Sequence, residues 1–407
     1  MSRNVTVIKG GVCAAKGFKA AGVPAEIKYK GRNDVALVVA DRPCAAAAVF
    51  TTNAVAAAPV VYDRKIVKRG RVKAILANSG CANACTGELG YRDAELSALM
   101  TAGELGCDPR EVLVASTGVI GRRLPMDRLL AGMKAAAARL AATPEAGLAA
   151  EKAVMTTDTK PKEAAVRTTI GGKTVTVGGM CKGSGMIEPN MATMLGFITT
   201  DAAVTPALLR RALKLAIAVS FNHVVVDGDE STNDSVFLLA SGQAGNPTID
   251  RAGADFDRFV EALTAVGVAL ARQMAADGEG ATKYVEVRVK GAKTQRDADR
   301  AARAIAKSPL AKTSWFGKDP NWGRVLAAAG YSGAQVVDTA AEVFYGKTWA
   351  YKKGKVADAA QLEKLEKEMQ GAELVVTVDL HLGDYAATIY TCDFSLDYVH
   401  INADYTT

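Results

Sequence analysis

Residues 182–197, KGSGMIEPNMATMLGF, set Thr193 directly after Ala192 in a stretch holding three glycines, three methionines and one proline. A threonine so placed offers a chemistry that needs neither histidine nor metal: a hydroxyl nucleophile whose own α-amine is the base, freed by cutting the bond before it. Ala192 leaves the preceding carbonyl sterically open, and the threonine hydroxyl lies close enough to that carbonyl for an N-to-O acyl shift. The glycines and the proline permit a bent approach. Self-cleavage between Ala192 and Thr193 is the expectation. An α-amine titrates near ~8, so about a tenth is neutral at pH 7, against under about one part in a thousand for a lysine near ~10.4. Held against a hydroxyl, such a base contributes about 10²- to 10⁴-fold. The competing reading of the same residues is an ordinary glycine-rich loop.

An acyl-transferring nucleophile also needs donors for the tetrahedral oxyanion, where losing one donor costs about 3 to 4 kcal/mol. Thr117-Gly118, in VLVASTGVIG, is the candidate, because a strand end followed by glycine can aim a backbone N–H and a hydroxyl into a cleft; a plain strand-ending turn is the alternative. Other chemistry-bearing residues are sparse. The three histidines, His223, His381 and His400, each sit in what reads as a strand or its edge, so no histidine general base is expected. Of the seven cysteines, Cys81 and Cys85 have C-x3-C spacing with no second pair nearby, and all read as reduced, small core residues. The GGKT at 171–174 has Arg167 where a phosphate loop needs its first glycine, so it reads as a hairpin turn. The DGDESTND at 227–234 has Thr232 where a calcium loop needs glycine, and reads as a bare acidic turn. Neither a metal nor a cofactor is expected.

The elements that must position these groups alternate along the chain. Short strands, turns and one helix (94–106) fill the first 120 residues, and a buried strand over Val112 to Ala115 leads into the Thr117-Gly118 turn. Two helical segments follow, broken at Thr143-Pro144. The runs AAVRTTI and KTVTVGG form a hairpin across Gly171-Gly172 and feed the 182–197 segment. Beyond residue 200 come a helix opened by Thr205-Pro206, a strand–acidic turn–strand unit, a long helix from about Ala254 to Ala276, a strand, a helix over 296–308, a loop, and a final set of strands with one charged helix. Interleaved strands and helices predict an α/β or α+β fold in layers, with no clean domain boundary.

Composition narrows the partners. The 407 residues are 49% hydrophobic and 23% charged, a globular mix. No continuous apolar run approaches the roughly 18 residues of a membrane span, and the N-terminus lacks a signal-peptide core, so a cytoplasmic protein is expected. The formal charge of +7 comes with no block of five basic residues, which argues against nucleic acid and fits small acidic substrates or a phosphorylated carrier.

Eight stretches carry a resemblance that spans nearly the whole chain in order: FTTNAVAAAPV, NSGCANACTG, VLVASTGVIG, MTTDTKPK, KGSGMIEPNMATMLGFITTDA, DGDESTND, DPNWGRVLAAAGYSG and YVHINADYTT. Together they strongly resemble the ornithine acetyltransferase family, the glutamate N-acetyltransferases of arginine biosynthesis. The resemblance implies cleavage at Ala192-Thr193 into an α chain of 1–192 and a β chain of 193–407. The new N-terminal Thr193 would take acetyl from N-acetylornithine and pass it to glutamate, releasing ornithine, with Thr117 and Gly118 as the oxyanion hole. Substrate contacts fall on Thr156 or Thr157, Lys182, Glu279, Asn402 and Thr407, besides Thr193 itself. Lys182 suits a substrate carboxylate and Glu279 a substrate ammonium; without the resemblance the two read as a surface pair. The implied fold is a layered α/β/β/α sandwich of the N-terminal-nucleophile type, assembled as a dimer of αβ units. Whether acetyl-CoA is a second donor stays open. Cys81, Cys181 and Glu188 depart from the family's usual Asn, Ala and Ala. Two other readings stand beside the transferase: an aminopeptidase or amidase with the same nucleophile, and an amino-acid-binding protein without activity.

Overall fold

The computed structural model describes residues 4–188 and 194–404, so Ala192, Thr193 and Thr407 lie outside the described residues. In chain order the elements are β1 (Thr6–Ile8), β2 (Phe18–Val23), β3 (Val35–Phe50), α1 (Ala58–Ile66), β4 (Arg71–Asn78), α2 (Gly87–Leu105), β5 (Val112–Ser116), α3 (Met126–Ala137), α4 (Pro144–Val154), β6 (Glu163–Ile170), β7 (Lys173–Lys182) and β8 (Leu195–Thr200). There follow α5 (Pro206–Ala218), β9 (Val224–Val225), β10 (Ser235–Ala240), α6 (Ala254–Ala276), β11 (Tyr284–Ala292), α7 (Gln295–Lys307), α8 (Pro309–Phe316), α9 (Trp322–Tyr331), β12 (Glu342–Tyr345), β13 (Thr348–Lys352), β14 (Lys355–Val356), α10 (Ala359–Glu368), β15 (Glu373–Asp379), β16 (Tyr385–Cys392) and α11 (Leu396–Asp404).

One strand organises the first sheet. Along β3 the even-numbered side chains Ala36, Val38, Ala40, Cys44 and Ala46 all enter one core. The odd-numbered side changes company midway: Val35, Leu37 and Val39 pack beneath α2 and α3, whereas Ala47 and Val49 pack beneath α5 and α6. Between these halves the register against β4 shifts, from Val39 opposite Ala74 to Cys44 opposite Val72. Extra residues on one strand bend it and raise its twist. The nine-stranded sheet therefore folds into two layers, β2, β4 and β5 on one side and β1, β6, β7, β8 and β10 on the other, with β3 common to both. Phe18, Phe197, Phe237 and Leu113 fill the space between them. Helices cover both outer faces, giving the α/β/β/α order expected of this sequence.

Helix spacing explains the covers. Leu209, Ala212, Leu213, Ala216 and Ile217 fall on one face of α5, and Phe259, Leu263, Val266, Leu270 and Met274 on one face of α6. By length and composition α6 could cross a membrane, but half of its apolar window is buried inside the protein, where it packs on β6, β7 and α5. A second, seven-stranded sheet, ordered β14-β13-β12-β15-β11-β16-β9, takes all its strands but β9 from beyond residue 283 and buries a separate core beneath α7 to α10.

Several expectations are corrected. The loop anticipated after residue 308 is two helices, each with a cap: Ser308 accepts from Ala311 N ahead of Pro309, and Asn321 accepts from Arg324 N. The first 120 residues hold α1 as well as α2, and β3 runs for 16 residues. His400, expected in or beside a strand, lies in α11, which opens beside the stacked Phe394 and Tyr398 rings. Cys85 is exposed with a left-handed backbone rather than a core residue. The hairpin is as expected, with Ile170 opposite Lys173.

Close approach of α4 to β2 depends on Gly22, where an added Cβ would sit 1.9 Å from Ala149 O. Gly22→Ala is expected to cost at least about 2 kcal/mol, because backbone on both sides must move. Gly103, in α2, has open space around it, and Gly103→Ala is expected to add about 0.5 to 1 kcal/mol. Denaturant titration checks both, and a Gly22→Ala protein as stable as wild type would contradict the layer packing.

Candidate active site

Seven residues that the sequence singles out are described, and all seven line one cleft of about 620 Å³, open mouth included: Thr117, Gly118, Thr156, Thr157, Lys182, Glu279 and Asn402. They arrive from five separate places. Thr117 and Gly118 follow β5, Thr156 and Thr157 follow α4, Lys182 ends β7, Glu279 follows α6, and Asn402 lies in α11.

The Thr117-Gly118 turn is braced from below. Ser116 Oγ donates to Asn78 Oδ1 at 2.7 Å, and Asn78 Nδ2 donates to Cys81 O at 2.9 Å. Asn233 Nδ2 reaches both Ala82 O, 2.6 Å, and Ser116 O, 2.8 Å, tying the turn to the approach to β10. Gly118 has φ +127°, and a Cβ there would lie 2.4 Å from the Gly80 carbonyl carbon, so glycine is required twice over. Thr117 N donates to Asn78 O at 3.0 Å, and among the described residues Gly118 N has no such acceptor.

Lys182 Nζ donates to Thr117 Oγ1 at 3.3 Å. An ammonium only donates, so Thr117 Oγ1 accepts and its own proton stays free to be given elsewhere. Lys182 is 5% exposed and Glu279 9% exposed, which removes the surface-pair reading. Neither forms an ion pair among the described residues. Glu279 instead accepts from Asn402 Nδ2 at 2.9 Å, and Gly185 comes so close to that carboxyl that a Cβ would sit 2.3 Å from it. Thr157 Oγ1 is hydrogen-bonded to Ser184 Oγ at 2.7 Å, whereas Thr156, which also lines the cleft, has no such side-chain bond among the described residues.

Sequence reasoning missed the buried charges behind the cleft. Lys162 Nζ lies 2.7 Å from Asp158 Oδ1 and 2.5 Å from Asp277 Oδ2, with all three side chains nearly inaccessible. Asp158 also accepts from Gly183 N at 2.7 Å and from Thr156 N at 3.0 Å, so it joins the residue after Lys182 to the loop that follows α4. Burial pushes its carboxyl up, but the charges of Lys182 and Lys162 outweigh that and hold it at about 2. Lys162 is raised despite burial, by Asp158 and Asp277. A signal existed in TTDTKPK, where Asp158 and Lys162 stand four apart, but their partner Asp277 is far along the chain.

The acidic turn is not bare. Asp227 Oδ2 accepts from Met186 N at 2.5 Å and Asp227 Oδ1 from Ile187 N at 2.8 Å. Asp234 Oδ1 accepts from Met194 N, and burial pushes its carboxyl well above the ordinary range, opposed by that amide and by Lys182. Glu188 pairs with Lys307 and, at 3.8 Å, with Arg303, on α7.

The α/β/β/α sandwich thus gathers a threonine–glycine turn, a buried lysine and a buried glutamate in one cleft, the set expected of an acyl-transfer site. Comparison with known proteins sharpens this: the model of the ArgJ family matches residues 19–407. An arginine biosynthesis bifunctional protein ArgJ of Symbiobacterium thermophilum is 54% identical over 404 residues, covering 98% of this chain and 99% of that one. A glutamate N-acetyltransferase of Methanosarcina mazei is 46% identical over 406 residues, covering 98% and 99%. The crystal structure of the ornithine acetyltransferase of Mycobacterium tuberculosis, complexed with ornithine, matches at 42% identity and TM-score 0.43 over 46% of this chain and 98% of that chain. The chain belongs to the ArgJ family, and it is an acyltransferase of arginine biosynthesis.

The lowered Asp158 sets an acid limit. Its folded value of about 2 lies below the ordinary unfolded value, so its contribution is fully present above pH ~4 and is lost as pH falls from there toward 2. Asp158→Asn is expected to flatten that part of the stability–pH curve and to cost about 3 kcal/mol at neutral pH, since Lys162 and Lys182 lose a buried partner. Unfolding midpoints taken from pH 2 to 7 check this, and parallel curves for the two proteins would contradict it.

Proposed function

We propose that this chain cuts itself between Ala192 and Thr193 and then carries acetyl from N-acetylornithine to glutamate on the Thr193 hydroxyl. The observation that carries the reading is the cleft's pair of buried, opposite and mutually unpaired charges, Lys182 and Glu279, beside a turn with a free N–H and a free hydroxyl proton. An amino-acid carboxylate fits Lys182 and the donor's side-chain ammonium fits Glu279, with Asn402 orienting the latter carboxyl. Thr156 supplies a hydroxyl to the substrate, since Thr157 is engaged by Ser184. Thr407, outside the described residues, keeps the substrate-contact role that the family resemblance gives it.

In the forward half-reaction, Thr193 Oγ attacks the acetyl carbon as its α-amine takes the hydroxyl proton. The oxyanion meets Gly118 N–H and the Thr117 hydroxyl, each such donor being worth about 3 kcal/mol. The C–N bond breaks, the proton passes from the α-ammonium to the leaving nitrogen, and ornithine departs. Glutamate's amine then attacks the acetyl ester by the reverse path and restores the threonine. Here β8 and β10, which follow residue 193, are hydrogen-bonded between β7 and β3, which precede it. The cut chains 1–192 and 193–407 therefore share one sheet and stay together. A cytoplasmic dimer of αβ units is the assembly the family resemblance supports.

The test is an assay with glutamate as acceptor and either N-acetylornithine or acetyl-CoA as donor. N-acetylornithine is expected to give stoichiometric N-acetylglutamate and ornithine, and the acetyl-CoA arm decides whether this chain takes a second donor. Acetate formed without N-acetylglutamate would instead mark a hydrolase. Thr193→Ala is expected to remain a single chain and to lose at least about 10⁴-fold in kcat; transfer at the wild-type rate by that variant would remove Thr193 from the mechanism.

A further inference from the structure

Among the described residues, the cleft lining carries three apolar side chains, Ala82, Ile120 and Met186. Met186 follows Gly185, where an added Cβ would meet the Glu279 carboxyl at 2.3 Å, so it belongs to the charged end. Ala82 and Ile120 belong to the Thr117-Gly118 turn, to which Cys81 is bridged at both Thr117 and Val119. Ala82 N donates to Val119 O at 3.0 Å and Gly121 N donates to Ala84 O at 2.9 Å, so hydrogen bonds on both flanks of Ile120 hold it against residues 82–84. There it packs on Ala57, Ala82 and Ala84, none of them more than 2% exposed. The alanines are pinned in turn. Asn233 Nδ2 donates to Ala82 O at 2.6 Å, Ala57 N to Thr232 O at 2.8 Å and Ala58 N to Asn83 O at 3.1 Å.

Bond geometry limits where an acyl group can extend from that turn. A carbonyl oxygen held by Gly118 N–H lies about 3 Å from the nitrogen, and the first carbon of the acyl chain is about 2.4 Å from that oxygen. The chain therefore starts close to the turn. Besides its oxygen, the tetrahedral acyl carbon bonds to the nucleophile, to the leaving nitrogen and to the chain. The leaving nitrogen belongs to an amino acid whose charges draw it toward Lys182 and Glu279. The chain is left the apolar side, where Ile120 stands two residues past Gly118 and packs on Ala82. A methyl group suits such a place, but each further carbon must displace side chains held by the backbone bonds around them, and close-packed surroundings yield only at a cost.

We propose that Ile120 and Ala82 determine acyl-chain specificity, forming the wall that receives the methyl of the acetyl group and stops longer chains. This rests on the acetyl-transfer reading of the same cleft. The wall carries no polar side-chain group, so a charged acyl group such as succinyl finds no partner there. A propionyl or butyryl chain must push Ile120 off its alanine bed.

The full chain is assayed with glutamate as acceptor and either N-acetylornithine or N-propionylornithine as donor, and the ratio of the two kcat/KM values is read. Wild type is expected to prefer acetyl by at least about 10-fold, the discrimination that one methylene gives in a tight apolar pocket. Ile120→Ala is expected to move the ratio at least about 10-fold toward propionyl, and Ala82→Gly to move it the same way by a smaller factor. Loss of packing alone lowers both donors together and leaves the ratio in place. A wild type that uses the two donors within about twofold of each other, or a folded Ile120→Ala protein whose ratio stays within about twofold of wild type, would overturn the proposal. Should Ile120→Ala not fold, Ile120→Val removes a single methyl group and is expected to shift the ratio about fourfold; an unmoved ratio in folded Ile120→Val would overturn it equally. The two readings fail differently. No N-acetylglutamate from wild type with N-acetylornithine removes the transfer reading and the wall with it, whereas normal transfer with an unmoved ratio removes only the wall.

Discussion

The site depends on keeping one lysine charged where water hardly reaches. Lys182 closes β7 with its ammonium on the Thr117 hydroxyl and no carboxylate paired to it among the described residues. An isolated buried charge is costly, so the surroundings must hold it. Asp158 does this at one remove: it is kept ionised by Lys182 and Lys162 together, and Lys162 is in turn shared with Asp277. The alternating charges leave the lysine stabilised yet available. On the proposed reading an incoming substrate carboxylate would supply the counter-charge that Lys182 lacks among the described residues.

The same chain of contacts joins parts of the sequence that lie far apart. Asp277 and Glu279 follow α6, Asp158 follows α4, and the Thr117-Gly118 turn follows β5. Only a sheet folded into two layers, with β3 passing through both, brings the ends of β5 and β7 to one cleft. Small residues make that folding possible: Ala36, Ala40, Ala46 and Gly22 let the layers and α4 approach closely. The second sheet enters the same design through α11, whose Asn402 reaches Glu279, and through α7, whose Arg303 and Lys307 hold Glu188. Glu188 thereby tethers the segment before residue 189 to the helix covering the second sheet.

Much of this is legible in the residues themselves, for reasons that differ by element. The hairpin at Gly171-Gly172 and the helices α5 and α6 are local: turn chemistry, caps and periodicity specify them. The two helices after residue 308 were equally local, since Ser308-Pro309 is a cap signal, and were missed because the segment between them looks like a loop. Asp158, Lys162, Asp277, Asn78, Asn233 and Asp234 are a different case. Each also works through a partner distant in sequence, and apart from the four-residue spacing of Asp158 and Lys162 nothing in its own neighbourhood sets it apart from a solvated polar residue. The acidic run at 227–234 shows the difference well. Its composition reads as an exposed turn, while the structure uses two of its carboxyls as backbone acceptors at either end of the segment that carries Thr193.

The central claim is that an acetyl group rests on Thr193 between two substrates. Denaturing mass spectrometry of the purified protein, mixed with N-acetylornithine and no glutamate and quenched in acid, reads this directly. The account predicts two chains, with one acetyl group on the chain that begins Thr-Met-Leu and none on the other, and loss of that group when glutamate is added. An uncut chain in active protein, or acetyl on any residue other than Thr193, would contradict it.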